Sequence, residues 1–130
     1  MDLAECKGIY VIAEQFEGKL RDVSFELLGQ ARILADTIGD EVGAILIGKD
    51  VKPLAQELIA HGAHKVYVYD DAKLEHYTTT AYSKVICDFF EEEKPNVFLV
   101  GATNIGRDLG PRVANTLKTG LTADLHAAQR

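Results

Sequence analysis

Four short apolar runs punctuate the chain, at residues 8–13 (GIYVIA), 42–47 (VGAILI), 66–69 (VYVY) and 97–100 (VFLV). Between them, apolar positions recur every three or four residues. Unbroken apolar runs of this length, rich in β-branched side chains, predict strands buried on both faces. The spaced patterns predict helices that bury one side. Residues 14–21 are polar around a central Gly18 and read as a loop. Val23, Leu27, Ala31, Leu34 and Ile38 then mark a first helix, with Asp22 placed to cap it and Gly39 to stop it. Asp50 is placed to cap a second helix, with Pro53 in its first turn, Leu54, Leu58 and Ile59 on its apolar side, and His61 and Gly62 at its exit. A polar stretch at 70–80 leads to a third helix, on which Tyr82, Val85, Ile86, Phe89 and Phe90 share a face. The acidic run at 91–93 reads as the solvated tail of that helix, and Lys94 and Pro95 as its stop. The fourth helix is expected over 107–117, with Leu109, Val113 and Leu117 inward and Pro111 disturbing its first turn.

Regular alternation of buried strands and amphipathic helices specifies an α/β fold: three layers, α/β/α, around a mostly parallel, twisted sheet. Right-handed crossovers leave few topologies. One domain is expected over 1–124, with 119–124 (TGLTAD) approaching a fifth strand and 125–130 an atypical tail.

Composition narrows the function classes. With 130 residues the chain can bury a real core, and 47% hydrophobic with 26% charged residues describes an ordinary globular protein. The net charge of −6, with both signs interspersed, argues against a nucleic-acid footprint and against a polybasic membrane signal. No apolar run approaches the roughly 20 residues that span a bilayer. The first residues lack the basic-then-apolar order of a secretory signal and are too acidic for a transit peptide. Cys6 and Cys87 are the only cysteines and do not pair as CxxC, which fits a reduced, cytoplasmic setting of prokaryotic type.

Chemistry concentrates where the fourth strand stops. The segment 101–112 (GATNIGRDLGPR) is a small-residue turn opening a helix, with Thr103, Asn104, Gly106, Arg107 and Arg112 as a candidate anion or partner surface. Backbone N–H groups at a helix N-terminus suit an anion, and ligands of open α/β sheets gather at the carboxyl ends of strands. The same glycines also satisfy plain turn geometry, with Arg107 pairing an acid such as Asp108. After the first strand neither phosphate-loop pattern occurs, and Glu14 and Glu17 there would repel a phosphate. His61, His64 and His76 lack partners at metal-ligand spacing and read as structural. Ser24 and Ser83 lie inside helices, Cys87 on an apolar face, and Tyr67, Tyr69 and Tyr82 in packing positions. No catalytic constellation emerges, so an enzyme is not expected.

The opening run 8–14 (GIYVIAE), the segments 101–103 (GAT) and 106–112 (GRDLGPR), and 119–124 (TGLTAD) together resemble the N-terminal domain of the electron-transfer flavoprotein alpha subunit. The resemblance runs in order up to Asp124. It implies an adenine-nucleotide-alpha-hydrolase-like fold and a heterodimer with a beta subunit of similar fold. It also implies that the parent complex passes electrons from a dehydrogenase partner through FAD to an acceptor. Some members carry a second flavin, or AMP, in the beta subunit. The parent's FAD is held chiefly by a C-terminal domain that this chain lacks, so no cofactor is expected in the fragment itself. Position 125 is Leu, where the family commonly has a cysteine. The alternative is a small AMP- or ATP-binding module of the universal-stress-protein type, whose glycine spacing this chain does not reproduce. Self-association of the isolated fragment is compatible with the first reading.

Overall fold

The computed structural model describes residues 8–93 and 97–117, with side chains through Val113. In chain order the elements are β1 (Ile9–Ala13), β2 (Gln15–Phe16), β3 (Lys19–Leu20), α1 (Asp22–Ile38), β4 (Val42–Gly48), α2 (Leu54–Ala60), β5 (Lys65–Asp70), a 3₁₀ turn (Ala72–Leu74), α3 (Thr79–Glu93), β6 (Val97–Leu99) and α4 (Asn104–Leu117). The main sheet has the order β5-β4-β1-β6 and is parallel throughout. Ile9 stands beside Val42 on one side and Val97 on the other, so β1 is a central strand. The chain leaves β1 toward β4 and β5, then returns to the opposite side for β6. The switch point of the sheet therefore lies between β1 and β6.

Both faces of the sheet are covered, which is why its strands are apolar without alternation. Ile9, Val11 and Ala13 face α1 and α2, meeting Leu27, Leu28, Ala31 and Leu58. Tyr10 and Ile12 face α3 and α4, meeting Ile86, Phe89, Leu109 and Val113. The Tyr10 ring needs space beside it: a Cβ on Gly43, its register partner, would lie 2.3 Å from the ring. Tyr10 and Phe89 pack edge to face with centroids 4.9 Å apart, as do Phe90 and Phe98 at the same separation. This is the three-layer α/β/α fold with a parallel sheet that the periodicity specifies.

Several local expectations are corrected. Residues 14–21 hold a small antiparallel hairpin rather than a loop, pairing Gln15 with Leu20 and Phe16 with Lys19. Its two turn residues, Glu17 and Gly18, have φ of 50° and 78°, the positive pair that lets a two-residue turn follow the strand twist. Leu20 is buried and anchors the hairpin. Asp22 is the first residue of α1, and Arg21 stands at the cap position without a side-chain bond. Gly39 ends α1 in the left-handed conformation, as expected.

Asp50 does not cap α2. Its φ is 55°, and the free N–H groups of Asp50, Val51 and Lys52 go to the Asp70 carboxylate at 2.8, 3.0 and 3.4 Å. The acidic end of α3 is not wholly solvated, because Tyr67 donates to Glu93 at 2.8 Å. α4 begins at Asn104, three residues before the expected start, which puts Pro111 in its second turn. There the ring removes the N–H that the Arg107 carbonyl would receive. Cys6, Lys94, Pro95, the segment 119–124 and the tail 125–130 lie outside the described residues.

Candidate functional site

Two strand ends build the site. β1 stops at Ala13, and the following Glu14 is only 4% exposed. Its backbone is pinned by α1: Ser24 Oγ donates to the Glu14 carbonyl and accepts the Glu14 N–H, each at 2.8 Å. The Arg21 N–H adds a bond to the same carbonyl at 2.9 Å. β6 stops at Leu99, and buried Val100 and Gly101 lead into the turn before α4.

Thr103 is the N-cap of that helix. Its hydroxyl accepts the Gly106 N–H at 3.0 Å, and its carbonyl accepts the Arg107 N–H at 2.8 Å. The hydroxyl proton goes to Glu14 Oε2 at 2.6 Å. A carboxylate at a helix N-terminus is favoured by the helix dipole. Glu14 Oε1 is buried and has no hydrogen-bond donor among the described residues. Two glycines let these groups meet. A Cβ on Gly101 would lie 3.2 Å from Glu14 Oε2 and 2.7 Å from Val23, and one on Gly106 would lie 1.8 Å from the Gly101 carbonyl oxygen.

In front of this joint opens a cleft of about 780 Å³ across the carboxyl ends of the strands, lined by Phe16, Arg21, Lys49, Glu75, Tyr77 and Asn104 among others. Phe16, at the hairpin tip, is 66% exposed. Lys49 and Glu75 pair loosely at 3.9 Å across the cleft wall.

The sequence-derived site residues fall along one stretch with different roles. Thr103 is half-buried and Gly106 buried, both serving the joint, while Asn104 and Arg107 are exposed at the start of α4 and Arg112 lies further along its outer side. Asp108 does not pair Arg107. It receives the hydroxyls of Tyr77, at 2.6 Å, and of Thr79, tying α4 to the start of α3. The Thr79 and Tyr77 hydroxyls hold the Asp108 carboxyl below the ordinary range. Burial, reinforced by Asp108, pushes Tyr77 up to about 12.

Glu14 is the residue that sequence reasoning undervalued: it was read there as the end of the opening run and as a repeller of phosphate. Its signal was an acid closing a buried strand, but its partner stands 89 positions away. His61 and His64 have partners within the fold. His64 Nδ1 accepts the Val42 N–H at 2.9 Å, and His61 Nδ1 lies 2.8 Å from the Glu57 carbonyl with its ring over Phe25. Burial, with Asp88 and Glu91 nearby, raises the Cys87 thiol above its usual range.

Residues 9–129 match the family model described as the electron transfer flavoprotein domain. The chain belongs to that family. The electron transfer flavoprotein subunit alpha of Megasphaera elsdenii is 94% identical over 95% of this chain, which spans 37% of that protein's length. Protein FixB of Clostridium saccharobutylicum is 55% identical over the same share of the chain, again with 37% of its own length covered. The acryloyl-CoA reductase electron transfer subunit beta of Anaerotignum propionicum is 54% identical, with 34% of its length covered. This electron transfer flavoprotein domain thus spans little more than a third of the curated relatives it matches, and corresponds to their N-terminal part. Among solved structures, a universal stress protein from Archaeoglobus fulgidus superposes with a TM-score of 0.52 at 16% identity, covering 86% of this chain and 92% of that one. That likeness shares the fold alone.

At the α4 N-terminus of this flavoprotein domain, the place where an anion such as a pyrophosphate would sit is held by the Glu14 carboxylate through Thr103, and the residues after β1 form no glycine-rich phosphate loop.

Proposed function

We propose that this chain is the N-terminal scaffold and partner-binding domain of an electron-transfer flavoprotein alpha subunit, with no catalysis of its own. The parent heterodimer carries electrons from dehydrogenases through FAD to an acceptor, and the flavin sits outside this domain. The observation that carries the reading is the 94% identity to an alpha subunit of which this chain spans 37%. The Glu14–Thr103 joint supports it, since it uses the fold's ligand position for structure. The name of the Anaerotignum relative, an electron transfer subunit of a reductase, supports service to a partner enzyme.

The partner surface in this reading is the exposed start of α4, Asn104 and Arg107, together with Arg112; Thr103 and Gly106 fix its shape. The beta subunit is the partner expected there, and the setting is the cytoplasm.

The test is twofold. The chain purified without added cofactor is expected to be colourless and to release neither FAD nor AMP on heating; a flavin spectrum or stoichiometric AMP would reverse the assignment of the cofactor. In titrations with the beta subunit, Arg107→Ala is expected to weaken pairing while barely moving thermal stability. Unchanged affinity would remove this surface from the reading.

A further inference from the structure

At the switch point of an open α/β sheet, an anion finds a helix N-terminus with N–H groups unused inside the helix, and a turn that permits close approach. Both are present here. α4 is a helix of 14 residues starting at Asn104, and the turn before it is close-packed at Gly101 and Gly106, where a Cβ would strike Val23 or the Gly101 carbonyl oxygen. The position before that N-terminus is taken by Glu14, 4% exposed. Its Oε2 receives Thr103, which in turn receives the Gly106 N–H. Its Oε1 receives nothing among the described residues. A buried carboxylate oxygen without a donor is costly; a glutamine would reach Thr103 without burying a charge, leaving an unpaired amide N–H group in place of the oxygen. What the carboxylate adds is negative charge at the positive end of α4.

We propose that Glu14 is a built-in anion that closes the α4 N-terminus to phosphate, turning the fold's ligand position into a structural joint. The closed position lies directly behind the cleft, because Gln15 and Asn104, the chain neighbours of Glu14 and Thr103, form part of the cleft wall. A phosphate entering from the cleft meets a like charge behind its wall. The inference stands apart from the partner reading, since its test needs no beta subunit and responds to phosphate alone.

Inorganic phosphate is titrated into the unaltered chain and into Glu14→Ser at constant ionic strength, with binding followed by phosphorus NMR and by the thermal midpoint. Glu14→Ser is expected to bind phosphate saturably and at least about tenfold more tightly than the unaltered chain, the scale of a charge removed at a helix terminus. Thr103→Val in that background is expected to abolish the gain. Equal affinity in the unaltered chain, or no gain in a folded Glu14→Ser, overturns the proposal. Should Glu14→Ser fail to fold, Glu14→Gln keeps the shape and removes the charge. A smaller but measurable gain supports the proposal there, and none overturns it.

Discussion

The Thr103 hydroxyl lies 2.6 Å from Glu14 Oε2, joining the ends of two adjacent parallel strands whose residues are 89 positions apart. One hydroxyl serves both sides, donating to the carboxylate and accepting the Gly106 N–H at 3.0 Å. The bond fixes where α4 starts, and therefore where Asn104 and Arg107 stand.

Thr103→Ala removes the cap and leaves both Glu14 oxygens without a donor. Loss of a cap and exposure of a buried acceptor each carry about 1–2 kcal/mol. The expected outcome is a fall of about 2–3 kcal/mol in unfolding free energy from urea titration. Thr103→Ser, which keeps the hydroxyl, is expected to lose less than half of that.

Two glycine substitutions separate crowding from chain entropy. Gly106→Ala sets a Cβ 1.8 Å from the Gly101 carbonyl oxygen, and neither backbone can yield. Destabilisation of about 3 kcal/mol or more is expected. Gly29 lies in the middle of α1, exposed, with nothing within 4 Å of its would-be Cβ. Gly29→Ala is expected to gain about 0.5–1 kcal/mol. Thermal melts of the pair, side by side, check both signs.

Asp70 gives the chain an acid sensitivity. The Asp50 N–H, with those of Val51 and Lys52, holds its carboxyl below the ordinary range against a smaller opposing effect of burial. The native state therefore binds that proton less readily than the unfolded chain. The contribution is complete above the ordinary aspartate range and is lost as pH falls through the native value. Asp70→Asn is expected to be less stable at neutral pH and to show a flatter decline in acid. Urea midpoints at several pH values distinguish the two chains, and parallel curves would refute this role for Asp70.

Tyr77 works at the alkaline end. Burial and the neighbouring Asp108 push it up to about 12 from the ordinary tyrosine value of 10.0. The raised value means the native state holds the proton more tightly. Its contribution is complete below the unfolded value and fades as pH rises through the native one. Tyr77→Phe is expected to loosen the α3–α4 contact at neutral pH and to lessen the alkaline loss of stability. Phenolate absorbance during base titration would show one fewer late-titrating tyrosine.

Long elements were legible because their patterns are long. Ile9–Ala13 and Val42–Gly48 declare themselves through unbroken apolar runs, and the face from Tyr82 to Phe90 through helical periodicity. The Gln15–Leu20 hairpin was not legible, since two-residue strands have no period and its turn is Glu-Gly rather than Asn-Gly or Asp-Gly. The start of α4 was placed late because its first apolar anchor that packs fully is Leu109, five residues in. The loop ahead of α2 is held by Asp70, which accepts the N–H groups of Asp50 and Lys52 from 18 to 20 positions away, and no local rule can assign that. The exposed surface of Asn104 and Arg107 was readable from the strand-turn-helix pattern, whereas the charge behind it required the fold.

The central place of β1 has a consequence during synthesis. Its partner on one side, β4, follows within 42–48, but the partner on the other side is Val97–Leu99. A nascent chain therefore carries a wholly apolar strand with one edge open until the ribosome has passed those residues. Unpaired edges of this kind invite pairing with other chains. A need for chaperone protection until Val97–Leu99 has emerged follows from the strand order alone.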